Sequence, residues 1–135
     1  MEWRRWKPKY ERISKELELD EKADRYAAKT LNVILPNVEL RNLKEIIEGQ
    51  VCVVFGAGPS LEEDALALSL QGFKGGVVIA ADGATSVILQ YRAPDIVVTD
   101  LDGDLKDLLQ AWRLGSWLVV HAHEDNLYRI HDIAH

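Results

Sequence analysis

Hydrophobic residues in the first part of the chain recur at helical spacing. Residues 8–19 and the stretch after Asp20 each place apolar side chains every three or four positions, which predicts two amphipathic helices. Asp20 is placed to cap the second of these helices, and Pro36-Asn37 is placed to end it. A shorter helix is predicted from Leu40 to Glu48. We therefore expect residues 1–50 to form a helical N-terminal segment.

From residue 51 onward, short continuous apolar runs replace the helical period. Such runs are typical of strands covered on both faces, and helical patterns at 61–71, 84–91, 104–113 and 125–133 alternate with them. This alternation predicts a three-layer α/β fold at residues 51–135, built on a mainly parallel, Rossmann-like sheet of about four strands. The predicted strands are Val51–Phe55, Val77–Ala81, Ile96–Thr99 and Trp117–His121.

The order of these strands in the sheet does not follow from their periodicity. A 2-1-3-4 order would set the loops after the first and third strands about 5 Å apart, whereas a 3-2-1-4 order would set them about 10 Å apart. We favour 2-1-3-4, because it gathers three polar loops at one place.

The composition is that of one soluble globular domain. The chain has 135 residues, of which 47% are hydrophobic and 28% charged, and this balance excludes a disordered chain. It has no apolar run of about 18 residues and no signal-peptide h-region, so we expect no membrane partner. The single cysteine, Cys52, fits a reducing compartment; we expect a cytoplasmic protein in which Cys52 is a buried small hydrophobe.

Charge is distributed unevenly along the chain. Residues 1–50 carry 11 basic and 10 acidic side chains, whereas residues 51–135 carry 5 and 12. An acidic surface repels a phosphate backbone, so we expect no nucleic-acid partner, although Trp3-Arg4-Arg5-Trp6 interleaves basic and aromatic side chains. A phosphorylated ligand of the acidic part would need a bridging cation.

Polar loops follow each predicted strand, where open parallel sheets bind their ligands. The first loop is Gly56-Ala57-Gly58-Pro59-Ser60, in which Ser60 and Glu63 form the pattern of a capping box. The loop is either a ligand-binding turn or simply a tight connection from strand to helix. It lacks the third glycine of the dinucleotide fingerprint, since Leu61 stands there, and it lacks the lysine of a P-loop.

Asp82 follows the second strand. Its carboxylate has two interpretations: it bonds a ribose hydroxyl, as in dinucleotide folds, or it caps the next helix. Taken alone, the position favours the cap.

The third loop, Asp100-Leu101-Asp102-Gly103-Asp104, holds three carboxylates within five residues. Alternate positions of an extended stretch put Asp100 and Asp102 on one side, which suits Mg²⁺ bound by one or two carboxylates and by substrate phosphates. The other interpretation is a solvated acidic turn in which Asp104 caps the next helix. We favour the metal, because the acidic part of the chain needs a cation to hold a phosphate.

The fourth loop contains His121 and His123 on one face. A His-x-His pair can bind a transition metal, but no third ligand follows at a suitable spacing. Contact of one histidine with substrate or phosphate is favoured over a zinc site. Asp125 or Asn126 is placed to cap the last helix.

Taken together, the four loops resemble those of the archaeal 6-hydroxymethyl-7,8-dihydropterin pyrophosphokinase family, which is related in fold to thiamine pyrophosphokinases. Compared with that family, this chain is expected to lack a C-terminal part. The resemblance rests on Val54-Phe55-Gly56-Ala57-Gly58-Pro59-Ser60-Leu61, Ala80-Ala81-Asp82-Gly83-Ala84, the run from Pro94 to Asp104, and His121-Ala122-His123.

The resemblance implies transfer of a diphosphate from ATP to a reduced pterin, with Mg²⁺ as cofactor and AMP released, in methanopterin or folate-type cofactor synthesis. It implies that Asp100 and Asp102 are catalytic residues that hold Mg²⁺, with Asp104 assisting. The nucleotide and substrate would be bound by Gly56, Gly58, Pro59, Ser60, Asp82, His121 and His123. Arg92 and Lys106 are the nearest candidate cations for the phosphates.

Two other functions remain open at this point. One is a nucleotide-binding module without catalysis, and the other is a dinucleotide-dependent oxidoreductase, against which the missing third glycine argues. An exposed sheet edge after the fourth strand favours a homo-oligomer.

Overall fold

A computed structural model describes residues 2–35, 40–73 and 75–133 of the chain. Within these ranges it contains seven α-helices, four strands and two single-turn 3-10 helices at Asp82–Ala84 and Glu124–Asn126. The helices are α1 (Trp3–Glu16), α2 (Glu21–Ile34), α3 (Leu40–Ile47), α4 (Leu61–Leu70), α5 (Thr85–Ile88), α6 (Leu105–Arg113) and α7 (Leu127–Ile133). The strands are β1 (Cys52–Phe55), β2 (Val77–Ala81), β3 (Ile96–Thr99) and β4 (Trp117–Val120).

All four strands are parallel and form one sheet in the order β1-β2-β3-β4. The predicted α/β class with a helical N-terminal segment is therefore confirmed. The favoured order 2-1-3-4 is wrong: β2 lies between β1 and β3, so the first and third loops are separated by a strand. Each strand instead lies beside the one before it. The strand order depends on tertiary packing, which the periodicity of the strands does not encode.

The N-terminal helices form largely as the pattern predicts. Asp20 caps α2, accepting hydrogen bonds on Oδ1 from the backbone N–H groups of Lys22 (2.8 Å) and Ala23 (3.2 Å). Helix α1 begins at Trp3, earlier than predicted, and buries none of its residues; charged pairs one turn apart run along it. The predicted stop at Pro36-Asn37 lies outside the described residues.

The hydrophobic core lies on one face of the sheet. Every connection steps to the next strand in the same direction, and right-handed crossovers then place all the connecting helices on the same side. Phe55, Val78 and Ala80 pack there against α4 and α5. Farther along the same face, Val97 packs against α6 and α7, and α2 joins through Leu31.

Two features of the described residues bear on the sequence predictions. Cys52 is a free thiol and only half-buried, so the prediction of a buried cysteine is wrong; its side chain lies on the sheet face opposite the core. None of the described helices combines the length and apolar character needed to cross a membrane.

Candidate active site

The loops after all four strands lie at one edge of the sheet, because the strands are parallel. Asp82 bridges two of these loops. Its Oδ1 accepts a hydrogen bond from the Thr99 hydroxyl at 2.9 Å, and its Oδ2 accepts one from the backbone N–H of Gly103 at 3.1 Å. Asp82 therefore ties the end of β2 to the end of β3 and to the acidic turn beyond it. The alternative in which it caps its own helix is not what the structure shows.

The carboxyl groups of Asp82 and Asp100 lie close enough to shift each other's pKa. Partial burial and this contact with Asp100 raise the pKa of Asp82 above the ordinary aspartate value of 3.8. The same contact, with a hydrogen bond from the Asp102 backbone, lowers the pKa of Asp100 below that value. Two neighbouring carboxyl groups repel each other when both are ionised, and a divalent cation between them would offset that repulsion.

The acidic turn is held in an unusual backbone conformation. Leu101 has a φ of +68°, in the left-handed region, and its side chain is buried. Its backbone N–H donates to the Thr99 hydroxyl oxygen at 2.8 Å. Thr99 thus donates to Asp82 and accepts from Leu101, which fixes the turn relative to β2. The left-handed residue between Asp100 and Asp102 makes this a bent turn rather than the extended stretch that the spacing suggested.

The three acidic residues of the turn have different environments. The Asp100 carboxylate accepts from the backbone N–H of Asp102 at 3.2 Å and contacts Asp82. Asp102 is exposed. Asp104 caps α6, accepting from the backbone N–H of Lys106 at 2.8 Å, as one of the two interpretations predicted.

These donors fit a hard cation only in an open site. Among the described residues, no group of three or more histidine, cysteine or acidic side chains is arranged to hold a metal ion by itself. Mg²⁺ needs no such group, because it commonly takes one or two carboxylates and completes its shell with water and substrate phosphates. The neighbouring carboxyl groups of Asp82 and Asp100 supply the oxygen ligands that such an ion requires.

The glycine turn after β1 is exposed and open. Gly58 N–H donates to the Gly56 carbonyl at 2.9 Å, and neither glycine has a left-handed φ or any neighbour where a Cβ would stand. Nothing inside the described chain therefore requires glycine there, which leaves room for a ligand at the end of β1. Pro59 and Ser60 are exposed in the same turn. The capping-box prediction is wrong: Ser60 has a helical backbone and makes no capping hydrogen bond.

The glycine turn lies next to the Asp82 loop. A Cβ added at Gly83 would stand 3.4 Å from the Cβ of Ala57, so these two loops are in contact. The order of the sheet thus places Asp82 between the glycine turn and the acidic turn, at a position where it can face a ligand that spans both.

His121 and His123 lie at the end of β4, with ring centroids 5.8 Å apart. His121 is exposed and His123 is half-buried. The charge of His123 helps to lower the pKa of Asp100, so this histidine faces the acidic turn. The described residues supply no third ligand for a zinc site around the pair.

Asn126 joins the histidine loop to the acidic turn. It is fully buried, its amide nitrogen donates to the carbonyls of Asp100 (2.5 Å) and His121 (2.8 Å), and its Oδ1 accepts from the His123 N–H at 3.0 Å. The sequence pattern predicted Asp125 or Asn126 as a helix cap and did not indicate this role of Asn126. A buried asparagine satisfying three backbone groups fixes the relative position of two loops.

Arg129 supplies a cation that sequence analysis missed. Its guanidinium donates to the backbone carbonyl of Leu101 and contacts that of Gly103. Its hydrogen bond to the Tyr128 hydroxyl, and to a lesser extent the charges of Asp102 and Asp82, raise its pKa. No motif marked it, because it reaches the turn from α7 only through the fold.

Arg92, a candidate in the sequence, lies at the opposite end of the sheet. It pairs with Asp95 at 3.0 Å, and Asp95 binds the backbone N–H of Val78 near the start of β2. Arg92 is therefore excluded as a phosphate ligand of this site. Lys106 stays near the acidic turn, in the first turn of α6.

The fold and its polar edge define an α/β protein with a ligand site at the carboxyl ends of a parallel sheet. Residues 27–134 match the family model described as 6-hydroxymethylpterin diphosphokinase MptE-like. The chain belongs to this family, as the resemblance of its four loops predicted.

Three curated relatives carry the name 6-hydroxymethyl-7,8-dihydropterin pyrophosphokinase. The one from Pyrococcus furiosus is 49% identical over 134 residues, covering 96% of this chain and 56% of the relative. The one from Methanocaldococcus jannaschii is 39% identical, with the same coverage, and the one from Methanothermobacter thermautotrophicus is 39% identical over 93% of this chain and 53% of the relative. The chain therefore spans about half the length of the curated relatives that it matches.

Proposed function

We propose that this protein takes part in Mg²⁺-dependent transfer of a diphosphate from ATP to 6-hydroxymethyl-7,8-dihydropterin, with release of AMP, in methanopterin or folate-type cofactor synthesis. The observation that carries the proposal is the contact of Asp82 with Asp100 at the carboxyl edge of the sheet. Membership of the family and the names of the relatives supply the reaction class and the acceptor.

In the proposed reaction the hydroxymethyl oxygen attacks the β-phosphorus of ATP. A new P–O bond forms, the bond between the α- and β-phosphates breaks, AMP leaves, and the hydroxyl proton passes to solvent. Such a reaction depends mainly on positioning the reactants and on neutralising the charge on phosphate oxygens. When bound, Mg²⁺ would supply that neutralisation.

The chain's own residues have distinct tasks in this proposal. Asp100 and Asp102 would hold the cation, with Asp104 on the same turn and Asp82 facing Asp100. The open glycine turn, with Gly56, Gly58, Pro59 and Ser60, would accommodate the nucleotide or pterin, and His121 and His123 would line the same crevice. Thr99 and Asn126 bind backbone groups of the loops and would keep these side chains in place.

The test is a product assay with ATP, Mg²⁺ and 6-hydroxymethyl-7,8-dihydropterin that resolves AMP from ADP. Pterin-dependent AMP formation is the expected result, and it should disappear in the Asp100→Asn, Asp102→Asn double variant. Glu45→Gln, at an exposed position of α3, is the matched control and should keep full activity. Unchanged AMP formation in the double variant would refute the assignment of these aspartates.

A second candidate is a nucleotide-binding module without catalysis of its own. The observation that favours it is the coverage of only 56% of the relatives' length. In that case the folded chain would bind ATP and Mg²⁺ in calorimetry, and no AMP would form at any pterin concentration.

A further inference from the structure

The sheet face opposite the core is apolar, and part of it is exposed among the residues that the structure describes. Side chains alternate between the two faces of a strand, and the register places one alternate set together on the side opposite the core. In this set Val54 is 67% exposed, Val98 43% and Trp117 38%. We call the exposed part of this surface the open face; its exposed or half-buried members are Cys52, Val54, Ile79, Ala81, Val98, Trp117 and Val119. Two other residues of the same set, Val77 (5% exposed) and Ile96 (2%), are buried at the starts of their strands and do not belong to the open face.

A parallel sheet with such a face is incomplete as a fold. Parallel strands occur almost only where both faces are covered, and the apolar sequence of these strands is of that type. Helices α4, α5 and α6 pack on the core face, and α2 reaches that same face through Leu31 and Ile34. Helix α1 buries none of its residues. Val54 and Val98 nevertheless stay 67% and 43% exposed among the described residues, so this part of the face is left to another occupant.

The outer edge of β4 is open as well. Strand β4 pairs with β3 on one side only, and on its other side a groove of about 860 Å³ separates it from α2 and α3. The groove is lined mainly by apolar side chains, including Leu31, Leu35, Leu43 and Val119. An added strand could pair with the free backbone groups of β4, and this would extend the sheet between β4 and the two helices.

The curated relatives contain enough polypeptide to fill both places. The matched 134 residues are 56% of the Pyrococcus furiosus relative, which leaves 44% of it, about 105 residues, without a counterpart in this chain. A second copy of this chain fits less well, because pairing β4 with β4 would bring a second α2 and α3 into the groove that the first pair already borders.

We propose that a polypeptide corresponding to this unmatched part of the relatives covers the open face and adds a strand to the free edge of β4. Its side toward the sheet is mainly apolar, because Val54 and Val98 offer only apolar contacts and Trp117 offers mostly its ring. The proposal is independent of the reaction, since it rests on sheet packing and not on the loops at the carboxyl edge.

Thiol labelling tests the proposal in a chimera in which these 135 residues replace the matched part of the Pyrococcus furiosus relative. Val98→Cys is introduced into a Cys52→Ala background, and labelling is followed at that peptide by mass spectrometry. The matched control is Leu70→Cys on α4, which is 80% exposed and belongs to the other side of the molecule. In this chain alone both thiols should react rapidly. In the chimera, Val98→Cys should react more slowly by about tenfold or more, and Leu70→Cys should be unchanged.

Two results would overturn the proposal. The first is equal labelling of Val98→Cys in the chimera and in the chain alone. The second is a dimer of the 135-residue chain in light scattering that protects Val98→Cys and is dissociated by Val98→Glu, since a second copy would then occupy the open face. If the chimera does not fold, a cysteine is introduced at the position aligned with Val98 in the complete Pyrococcus furiosus relative and labelled in the same way. Slow labelling there supports the proposal, and rapid labelling overturns it.

Discussion

Asp82 and Asp100 follow neighbouring strands, and their carboxyl groups lie close enough to shift each other's pKa in opposite directions. Thr99 and the backbone of Gly103 donate to Asp82, so the pair is held by the ends of both strands. Two acids in contact cost stability when both are ionised, and a structure retains such a pair where a cation or a shared proton compensates the charge. This pair is therefore the part of the site most sensitive to pH and to divalent ions.

Asp82→Asn should alter how the stability of the metal-free protein depends on pH. Because the pKa of Asp82 is raised, the folded state binds more protons than the unfolded state between 3.8 and the raised value. Stability from this group therefore falls as pH rises through that interval and stays lower above it. The lowered pKa of Asp100 acts in the opposite sense: its contribution is present above 3.8 and is lost as pH falls below that value.

The measurement is urea unfolding in EDTA from about pH 4 to about pH 7. In the unsubstituted protein, Asp82 should lower the unfolding free energy as the pH rises through this range. This decrease should be absent in Asp82→Asn. Parallel profiles for Asp82→Asn and the unsubstituted protein would show that the pair carries no such linkage.

Asn126→Ala should destabilise the fold by about 3 kcal/mol, because it leaves two carbonyls and one N–H group without their partner in a buried place. Asn32→Ala, on an exposed position of α2, should change the unfolding free energy by less than about 0.5 kcal/mol. Denaturant unfolding of both variants provides the comparison. A cost for Asn126→Ala as small as that of the control would contradict the role of this amide in joining the two loops.

Gly58→Ala and Gly103→Ala should have different effects, although both add one methyl group. The space beside Gly58 is empty, so the first change should leave stability equal or raise it by about 0.5 kcal/mol. A Cβ at Gly103 would overlap the Asp82 carboxylate, so the second should cost about 1–3 kcal/mol. In the presence of Mg²⁺, Gly58→Ala should still weaken ATP binding in calorimetry. Unchanged affinity would mean that the space beside Gly58 does not accommodate nucleotide.

Arg129→Gln should weaken ATP binding on the order of tenfold, the usual effect of removing one charged hydrogen-bond donor. Arg129 contacts backbone carbonyls of the acidic turn, so its loss removes both a support of that turn and a positive charge beside the proposed phosphates. Arg129→Lys should recover part of the affinity, because it keeps the charge without the planar guanidinium. The control is Arg113→Gln, which removes an exposed arginine at the end of α6. An equal loss of ATP affinity in this control would show that the effect comes from the net charge of the protein and not from the position of Arg129.

The elements and the edge that holds the site could be predicted from the sequence, because both depend on local patterns. Continuous apolar runs specified the strands, and the position of polar loops after each run specified their common edge. The predicted cap at Asp20 formed for the same reason, since a cap requires only its own helix. These features could be recognised without knowing how the elements pack.

The strand order and the supporting residues could not be predicted, because they depend on contacts distant in sequence. Asn126 binds the carbonyl of Asp100, 26 residues away, and Arg129 reaches Leu101 across 28 residues. Thr99 carries a hydroxyl in the otherwise aliphatic strand β3, and this was only a weak indication that it belongs to the site. Arg92 looked suitable only because it is near the acidic turn in sequence, and the strand between them carries it to the other end of the sheet.

The stepwise order of the sheet has a consequence for how the chain folds. The paired residues Val54 and Ile79, Ile79 and Ile96, and Ile96 and Trp117 are 25, 17 and 21 residues apart. Each added strand therefore closes a loop of similar, moderate length, and the entropic cost of closure is nearly the same at every step. No strand has to wait for a later one to be inserted beside it. The sheet can grow from β1 to β4 in the order in which the ribosome delivers the chain.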